Sequence, residues 1–236
     1  MLRRVEEERE GDFHARIGRG GQRTWWWSKP LLALFAFSLF WDVSMVAAPL
    51  MLPPGTVIGL DGTANAVDYA KNWSELPNGY LSAIYTFGDS QCHQKTHRSF
   101  VLNGNQLPVC SRLTSIFVFA TVGMLVAARL RPENTFTATF LRMFPAALRD
   151  RLLPRADDPP DVIERKWNRA TLVVFAIIGL FILPVAFDGF RQELANPPYE
   201  STNAVRFFTG IWTGSIGGII VGLLTNNIWF RGMGKQ

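Results

Sequence analysis

The chain has 236 residues, enough for one or two domains, with 48% hydrophobic residues and a formal net charge of +5. That average suits a soluble protein, but long stretches carry almost no charge while the charges crowd into a few segments. No basic stripe with interleaved aromatics and no nucleic-acid-binding motif appears, so the basic excess excludes nucleic acid as the expected partner and points to anionic lipid; two cysteines are too few for a disulfide-rich scaffold or a four-cysteine zinc site.

In chain order, residues 1–29 form a basic leader that ends in Trp25-Trp26-Trp27, an expected anchor at the inner interface. A first apolar span runs from Pro30 to Leu52 and contains one acid, Asp42. A hydrocarbon core ~30 Å thick needs roughly 20 mainly apolar residues as a helix, and this span meets that requirement. It is longer than a signal-peptide h-region, and Pro49 follows its nearest cleavage-like site, Val46-Ala47-Ala48, so it is expected to remain in place. Asp42 is expensive in lipid and should face other helices, either hydrogen-bonded to another span or serving ion or proton transfer.

Residues 53–112 follow as a long cap. Pro53-Pro54-Gly55, Asp61-Gly62, Pro77-Asn78-Gly79 and Asn103-Gly104-Asn105 are turn signals, so the cap should fold on itself. Within it, Tyr80 to Phe87 is apolar enough to dip into the interface. The second span is Leu113 to Ala128, closing a region of two spans and cap over 30–128. The charged segment 129–169 repeats Phe136, Phe140, Phe144, Leu148 and Leu152 every four residues, the pattern of a helix lying on the leaflet or docking a partner, with Pro145 weakening its continuity. Arg155 to Asp161 reads as a polar linker. Spans three and four, Ala170 to Phe187 and Val205 to Trp229, occupy 170–229, and 230–236 is a tail. Gly210, Gly214, Gly218 and Gly222 share one face of the last span, for close packing within the chain or for a homodimer.

Orientation follows from Arg and Lys. The leader carries Arg3, Arg4, Arg9, Arg16, Arg19, Arg23 and Lys29, and the 129–169 segment is equally rich, whereas the cap has only Lys71, Lys95, Arg98 and Arg112. Both termini are expected in the cytoplasm and the cap outside, in the plasma (inner) membrane. The fold class expected is an all-α integral membrane protein, a four-helix transmembrane bundle with a small extracytoplasmic cap.

Two compound motifs stand on that outer face. One reads Cys92-His93-Gln94, Arg98-Ser99-Phe100, then Gly104-Asn105-Gln106-Leu107-Pro108-Val109-Cys110-Ser111-Arg112. The other reads Asp188-Gly189, Gln192, Glu200-Ser201-Thr202-Asn203, Arg206 and Thr209-Gly210. Together with Ala48-Pro49 and Ile84-Tyr85, they resemble an uncharacterised family of bacterial and archaeal multi-pass membrane proteins, a domain of unknown function. The resemblance covers about Leu31 to Leu224 apart from the long middle segment, and it implies a family without an established activity. That family usually continues Cys-x-Arg-Cys-Thr-Gly where this chain has Cys110-Ser111-Arg112-Leu113-Thr114-Ser115, so a third thiolate is missing.

The two motifs should converge on one polar site containing His93, Gln94, Arg98, Ser99, Arg112, Asp188, Gln192, Glu200, Asn203 and Arg206. Much of it reads as a mutually satisfied network of Asp188 and Glu200 with arginines. Cys92 and Cys110 are expected to form a disulfide on an oxidising face, worth about 3 kcal/mol by loop closure. Metal binding competes, with zinc the default ion and Cys92, His93 and Cys110 the ligands, although adjacent Cys-His groups rarely both reach one ion; no cofactor is preferred. An enzyme acting on a lipid-linked or phosphate-bearing substrate would use His93 as base, Arg98 and Arg206 as phosphate clamps, and Asp188 or Glu200 as acid or base. A thiol oxidoreductase is disfavoured by the absence of Cys-x-x-Cys. An accessory subunit of a larger membrane complex would use the tryptophans, the surface helix and the glycine face. The reading adopted is a multi-pass membrane protein whose outer polar site binds a small ligand or organises an assembly, with the bilayer as its first partner and other integral subunits or a second copy as further ones.

Overall fold

The computed structural model describes residues 25–194 and 199–232. The expected leader therefore lies outside the described residues up to position 24, His14 included, as does the tail beyond 232. Among the described residues, eight α-helices and one hairpin follow in order: α1 (Lys29–Leu50), α2 (Ala70–Ser74), α3 (Gly79–Gln91), a 3₁₀ turn at Thr96–Arg98, β1 (Ser99–Leu102), β2 (Asn105–Cys110), α4 (Ser111–Arg129), α5 (Phe136–Leu141), α6 (Ala146–Leu152), α7 (Pro160–Leu194) and α8 (Asn203–Gly232). Among the described residues, α1, α4, α7 and α8 are the four helices long and apolar enough to cross a membrane. The chain is mostly helical, but the all-α expectation needs correcting: the cap holds a two-stranded antiparallel sheet.

That hairpin has a local cause. Asn103 (φ 52°) and Gly104 (φ 71°) both take left-handed backbone, the pair that a two-residue type I′ turn requires, and Leu102 pairs Asn105 directly across it. Further along, Val101 pairs Gln106 and Ser99 pairs Cys110, with an irregularity between the first two β1 partners.

The chain divides into two compact units. One comprises Ala36–Thr121 and Ile182–Ser215 and contains the cap. Its core joins Trp41, Met45 and Ala48 of α1 to Trp73, Leu81, Ile84, Tyr85 and Val109. The apolar stretch Tyr80–Phe87 therefore does not simply dip into lipid: as part of α3 it buries Leu81, Ile84 and Tyr85 inside the cap. Asn78 caps α3 by accepting the Leu81 N–H at 3.0 Å. Asp89, fully buried, accepts both the Trp73 indole N–H and the Tyr69 backbone N–H at 2.9 Å. Asp42 is held from another span at one oxygen: Thr121 Oγ1 donates to its Oδ2 at 2.5 Å and meets Ser38 Oγ at 2.6 Å, while its buried Oδ1 has no partner.

The other unit comprises Met1–Phe35, Val122–Phe181 and Ile216–Gln236. Here the four-residue repeat of aromatic and aliphatic residues does not form one surface helix. Pro145 cannot continue the α5 hydrogen-bond ladder, so α6 starts anew after it. Phe140, Leu141 and Leu152 then bury against Ala170 and Val174 of α7 and Ile216, Ile219 and Leu223 of α8, so protein rather than lipid covers their face. Nor is Arg155 to Asp161 linker throughout, since α7 begins at Pro160. Trp26 is buried and held at both backbone groups, its N–H donating to Ala128 O and its carbonyl accepting from Asn226 Nδ2, each at 2.6 Å. Arg129 stacks over the Trp25 ring at 3.5 Å.

The glycine stripe of α8 meets α4 within each unit. A methyl group at Gly210 would strike Ser115 and the Arg112 carbonyl, at Gly214 the Ile116 backbone, and at Gly222 Ala127. These glycines let two backbones of the same chain approach closely.

Candidate functional site

Both motifs meet in the unit that carries the cap. Arg98, at the end of the 3₁₀ turn, forms a two-pronged bond to Glu200, with Nε to Oε1 at 2.7 Å and Nη2 to Oε2 at 2.8 Å. Arg206 of α8 donates to the same carboxylate, and His97 Nε2 lies 3.3 Å from it. Arg112, in the first turn of α4, pairs with Asp188 of α7. Gln192 links the two ion pairs: its Nε2 donates to Asp188 Oδ2 at 3.0 Å and Ser201 Oγ at 2.7 Å, and its Oε1 faces Arg206 Nη2 at 3.5 Å. Asn203 ties the start of α8 to the hairpin by accepting from Ser111 Oγ at 3.0 Å and donating to the Ser99 carbonyl at 3.3 Å.

Residues some ninety positions apart thus form one network. Burial opposes ionisation of Glu200, but the hydrogen bonds and charges of Arg98 and Arg206 outweigh it and hold the carboxyl at about 2. Arg206 is only 3% exposed, and its Nη1, like Arg112 Nε, has no partner.

Beneath this network lie Cys92, His93 and Cys110, whose ligand atoms all fall within 4.8 Å of one another. Three local features place them. Cys92 ends α3 in extended backbone, the chain reverses at Gln94 in left-handed backbone (φ 46°), and the hairpin returns Cys110 to the same spot. Adjacent Cys92 and His93 were expected to aim apart; the reversal at Gln94 lets both converge with Cys110. The expected disulfide is not formed: both thiols are free and buried. Cys92 Sγ instead accepts from Cys110 N at 3.2 Å, and Cys110 Sγ lies at the start of α4, beside the Arg112 charge.

The two thiols perturb each other. The Cys92 thiol is the largest influence lowering Cys110 below the ordinary thiol range, with burial resisting and the Arg112 charge assisting. Cys110, followed by burial, pushes Cys92 upward and keeps it a thiol. Burial, then the charges of Arg98, Lys95 and Arg206, lower His93 to about 4, so its ring is neutral and retains a lone pair. Its Nδ1 accepts the Lys95 N–H at 3.2 Å.

Two of the expected site residues do other work. Gln94 is fully buried away from the arginines, its Nε2 donating to the Pro108 carbonyl at 2.7 Å, and Ser99 Oγ closes the 3₁₀ turn onto the Lys95 carbonyl at 3.0 Å. Gln106, quoted in the motif but not expected in the site, is a hub. Its Oε1 accepts from Leu60 N at 3.1 Å and Thr96 Oγ1 at 2.8 Å, and its Nε2 donates to the Gln94 carbonyl at 2.9 Å. Asn105 similarly donates to the Pro49 and Pro53 carbonyls and accepts from Val57 N. Two consecutive polar residues directly after a turn were the only signal of either role.

Comparison with known proteins converges on the same segment. An uncharacterised protein of Methanothermobacter thermautotrophicus is 28% identical over 123 residues, covering 52% of this chain and 77% of that protein. The uncharacterised protein MJ1492 of Methanocaldococcus jannaschii is 28% identical over 134 residues, covering 57% of this chain and 61% of that protein. No solved structure matches. Residues 92–149, from the first cysteine through α4 into the α5–α6 segment, match the family described as predicted membrane protein (DUF2085). With its four apolar helices of membrane-crossing length, the chain is a membrane protein, and the family it resembles is DUF2085.

Proposed function

We propose that α1, α4, α7 and α8 form a transmembrane bundle in the plasma (inner) membrane, with both termini cytoplasmic and the cap outside. The polar site on that outer face binds a small ligand, and the ligand its geometry supports best is a soft metal ion, zinc being the default. One observation carries this reading: the adjacent Cys92 and His93 after α3 and Cys110 at the end of β2 bring two sulfurs and an imidazole within 4.8 Å of one another. The concentration of Arg and Lys in the leader and in 129–169 supports the orientation. The arginines that a phosphate-binding enzyme would use are already engaged by Asp188 and Glu200, which favours metal over phosphate as the occupant.

Full-length protein purified in detergent without reductant tests the reading through elemental analysis and thiol titration. A stoichiometric metal that is lost in Cys110→Ser supports it. Metal-free protein with its two cysteines bridged overturns it. Orientation is read from an exposed cap position, Lys71→Cys in a background of Cys92→Ser and Cys110→Ser, by a membrane-impermeant thiol reagent on intact cells; protection of that thiol overturns the outward cap.

A further inference from the structure

We infer that the ion this site selects is monovalent copper, held by two thiolates and one imidazole without a fourth ligand; this rests on the metal reading above and names its ion. The ligand count comes first. Among the described residues, the group that could hold an ion is Cys92, His93 and Cys110 alone. The acids nearest in the motifs are committed elsewhere, Asp188 to Arg112 and Gln192, and Glu200 to Arg98 and Arg206. Position 113, where a further thiolate could have joined, is Leu113, which packs against the cap core.

A zinc ion with three protein ligands completes its tetrahedron with water. Here Cys92 is 2% exposed and Cys110 7%, so the sulfurs are largely shielded from the solvent that would supply that water, which reaches the group only from the side of the half-buried His93. Monovalent copper is soft, prefers thiolate, and is satisfied by two or three ligands.

Charge gives an independent argument. The network above the sulfurs joins three cations, Arg98, Arg112 and Arg206, to two carboxylates, Asp188 and Glu200, leaving one positive charge over. Arg206 is nearly sealed and has an unpartnered N–H, so the share of that excess it carries is shielded from water, while Arg98 and Glu200 face it. Two thiolates with one monovalent copper carry one negative charge and cancel it. Two thiolates with divalent zinc are neutral and leave it standing. The Cys110 N–H that reaches Cys92 Sγ favours a thiolate there in either case.

The experiment uses reduced, metal-free, full-length protein in detergent under anaerobic conditions. One arm titrates it against a coloured copper(I)–bicinchoninate complex, the other against a chromophoric zinc indicator, and X-ray absorption on the copper-loaded sample counts the ligands. We expect one equivalent of copper to be withdrawn, two sulfur and one nitrogen ligands around it, and affinity lowered roughly a hundredfold in Cys92→Ser and Cys110→Ser. Arg206→Gln, or the more exposed Arg98→Gln should the first fail to fold, is expected to weaken copper binding and leave zinc binding unchanged or stronger. One equivalent of zinc with no competitive copper binding overturns copper and leaves the metal site standing. Binding of neither ion overturns both, and a fourth light ligand on copper overturns the three-coordinate site.

Discussion

The backbone N–H of Cys110 points at Cys92 Sγ from 3.2 Å, so the second cysteine of the chain holds the first before any bond or ion joins them. The contact depends on the Asn103-Gly104 turn, which folds the intervening chain into a hairpin and returns Cys110 beside the end of α3. It leaves two sulfurs close together, buried and unequal in acidity.

That inequality can be measured. In reduced, metal-free protein, alkylation of Cys110 should rise with pH through a midpoint below the ordinary thiol range near 8.5, while Cys92 stays unreactive over the same range. Cys92→Ala removes the neighbouring thiol that contributes most to the low midpoint, so the Cys110 midpoint should move up toward that range. Mass spectrometry of the alkylated peptides reads both sites; equal labelling of the two cysteines at pH 7 would contradict the assignment.

Glu200→Gln removes the carboxylate shared by Arg98 and Arg206 and leaves the buried Arg206 without its ion pair. Losing one partner of a buried pair costs about 3–5 kcal/mol, and because Glu200 itself is half exposed we expect about 1–2 kcal/mol. The sign with pH follows from its lowered carboxyl. The stabilisation is fully present above the ordinary glutamate value of 4.5 and is lost as pH falls through about 2. The difference in unfolding temperature between wild type and variant should therefore hold steady from about pH 5 to 8 and shrink below about pH 4. A difference that grew on acidification would sink this account.

Gly214→Ala should lower stability by about 1–3 kcal/mol, because its methyl group meets the Ile116 backbone, which has no flexible end to move aside. Gly217→Ala on the same helix faces open space and should be neutral or stabilising by up to about 1 kcal/mol, through helix propensity. Thermal unfolding of the two variants in one detergent compares them; equal effects would show that the close approach of α8 to α4 is not what the glycine serves.

Gln106→Leu retains side-chain bulk but strands the Leu60 N–H and the Gln94 carbonyl, while the Thr96 hydroxyl keeps the Leu60 carbonyl as its partner. With about 1–3 kcal/mol for each buried group left unsatisfied, we expect a loss of about 3 kcal/mol or more. Since Gln94 sets the reversal that aims His93, the variant should also lose metal retention relative to wild type. Elemental analysis of the folded fraction separates that loss from unfolding.

Much of the fold was legible because lipid imposes a simple rule. A run such as Leu113 to Ala128 must satisfy its own backbone, and helix is the economical way to do so. The hairpin was missed although its turn residues were recognised, because β1 and β2 are short and their sequences carry no clean alternation. The same limit hid the fate of Phe140 and Leu152. A period of four announces an apolar face, and nothing in it distinguishes a lipid from Ile216 and Leu223 as the covering partner.

The chemistry divides along the same line. The network of Asp188 and Glu200 with arginines was readable, since unlike charges brought to one apolar boundary must find each other. The disulfide expectation rested on even cysteine number and an oxidising face, and neither consideration contains the orientation of a side chain. By itself, the sequence determined which segments suit lipid and which polar residues share the cap face, because hydropathy and charge are properties of local composition. Only the tertiary structure decided that Cys92, His93 and Cys110 converge as free groups, because that depends on three left-handed residues and a strand register acting together over distances no local pattern spans.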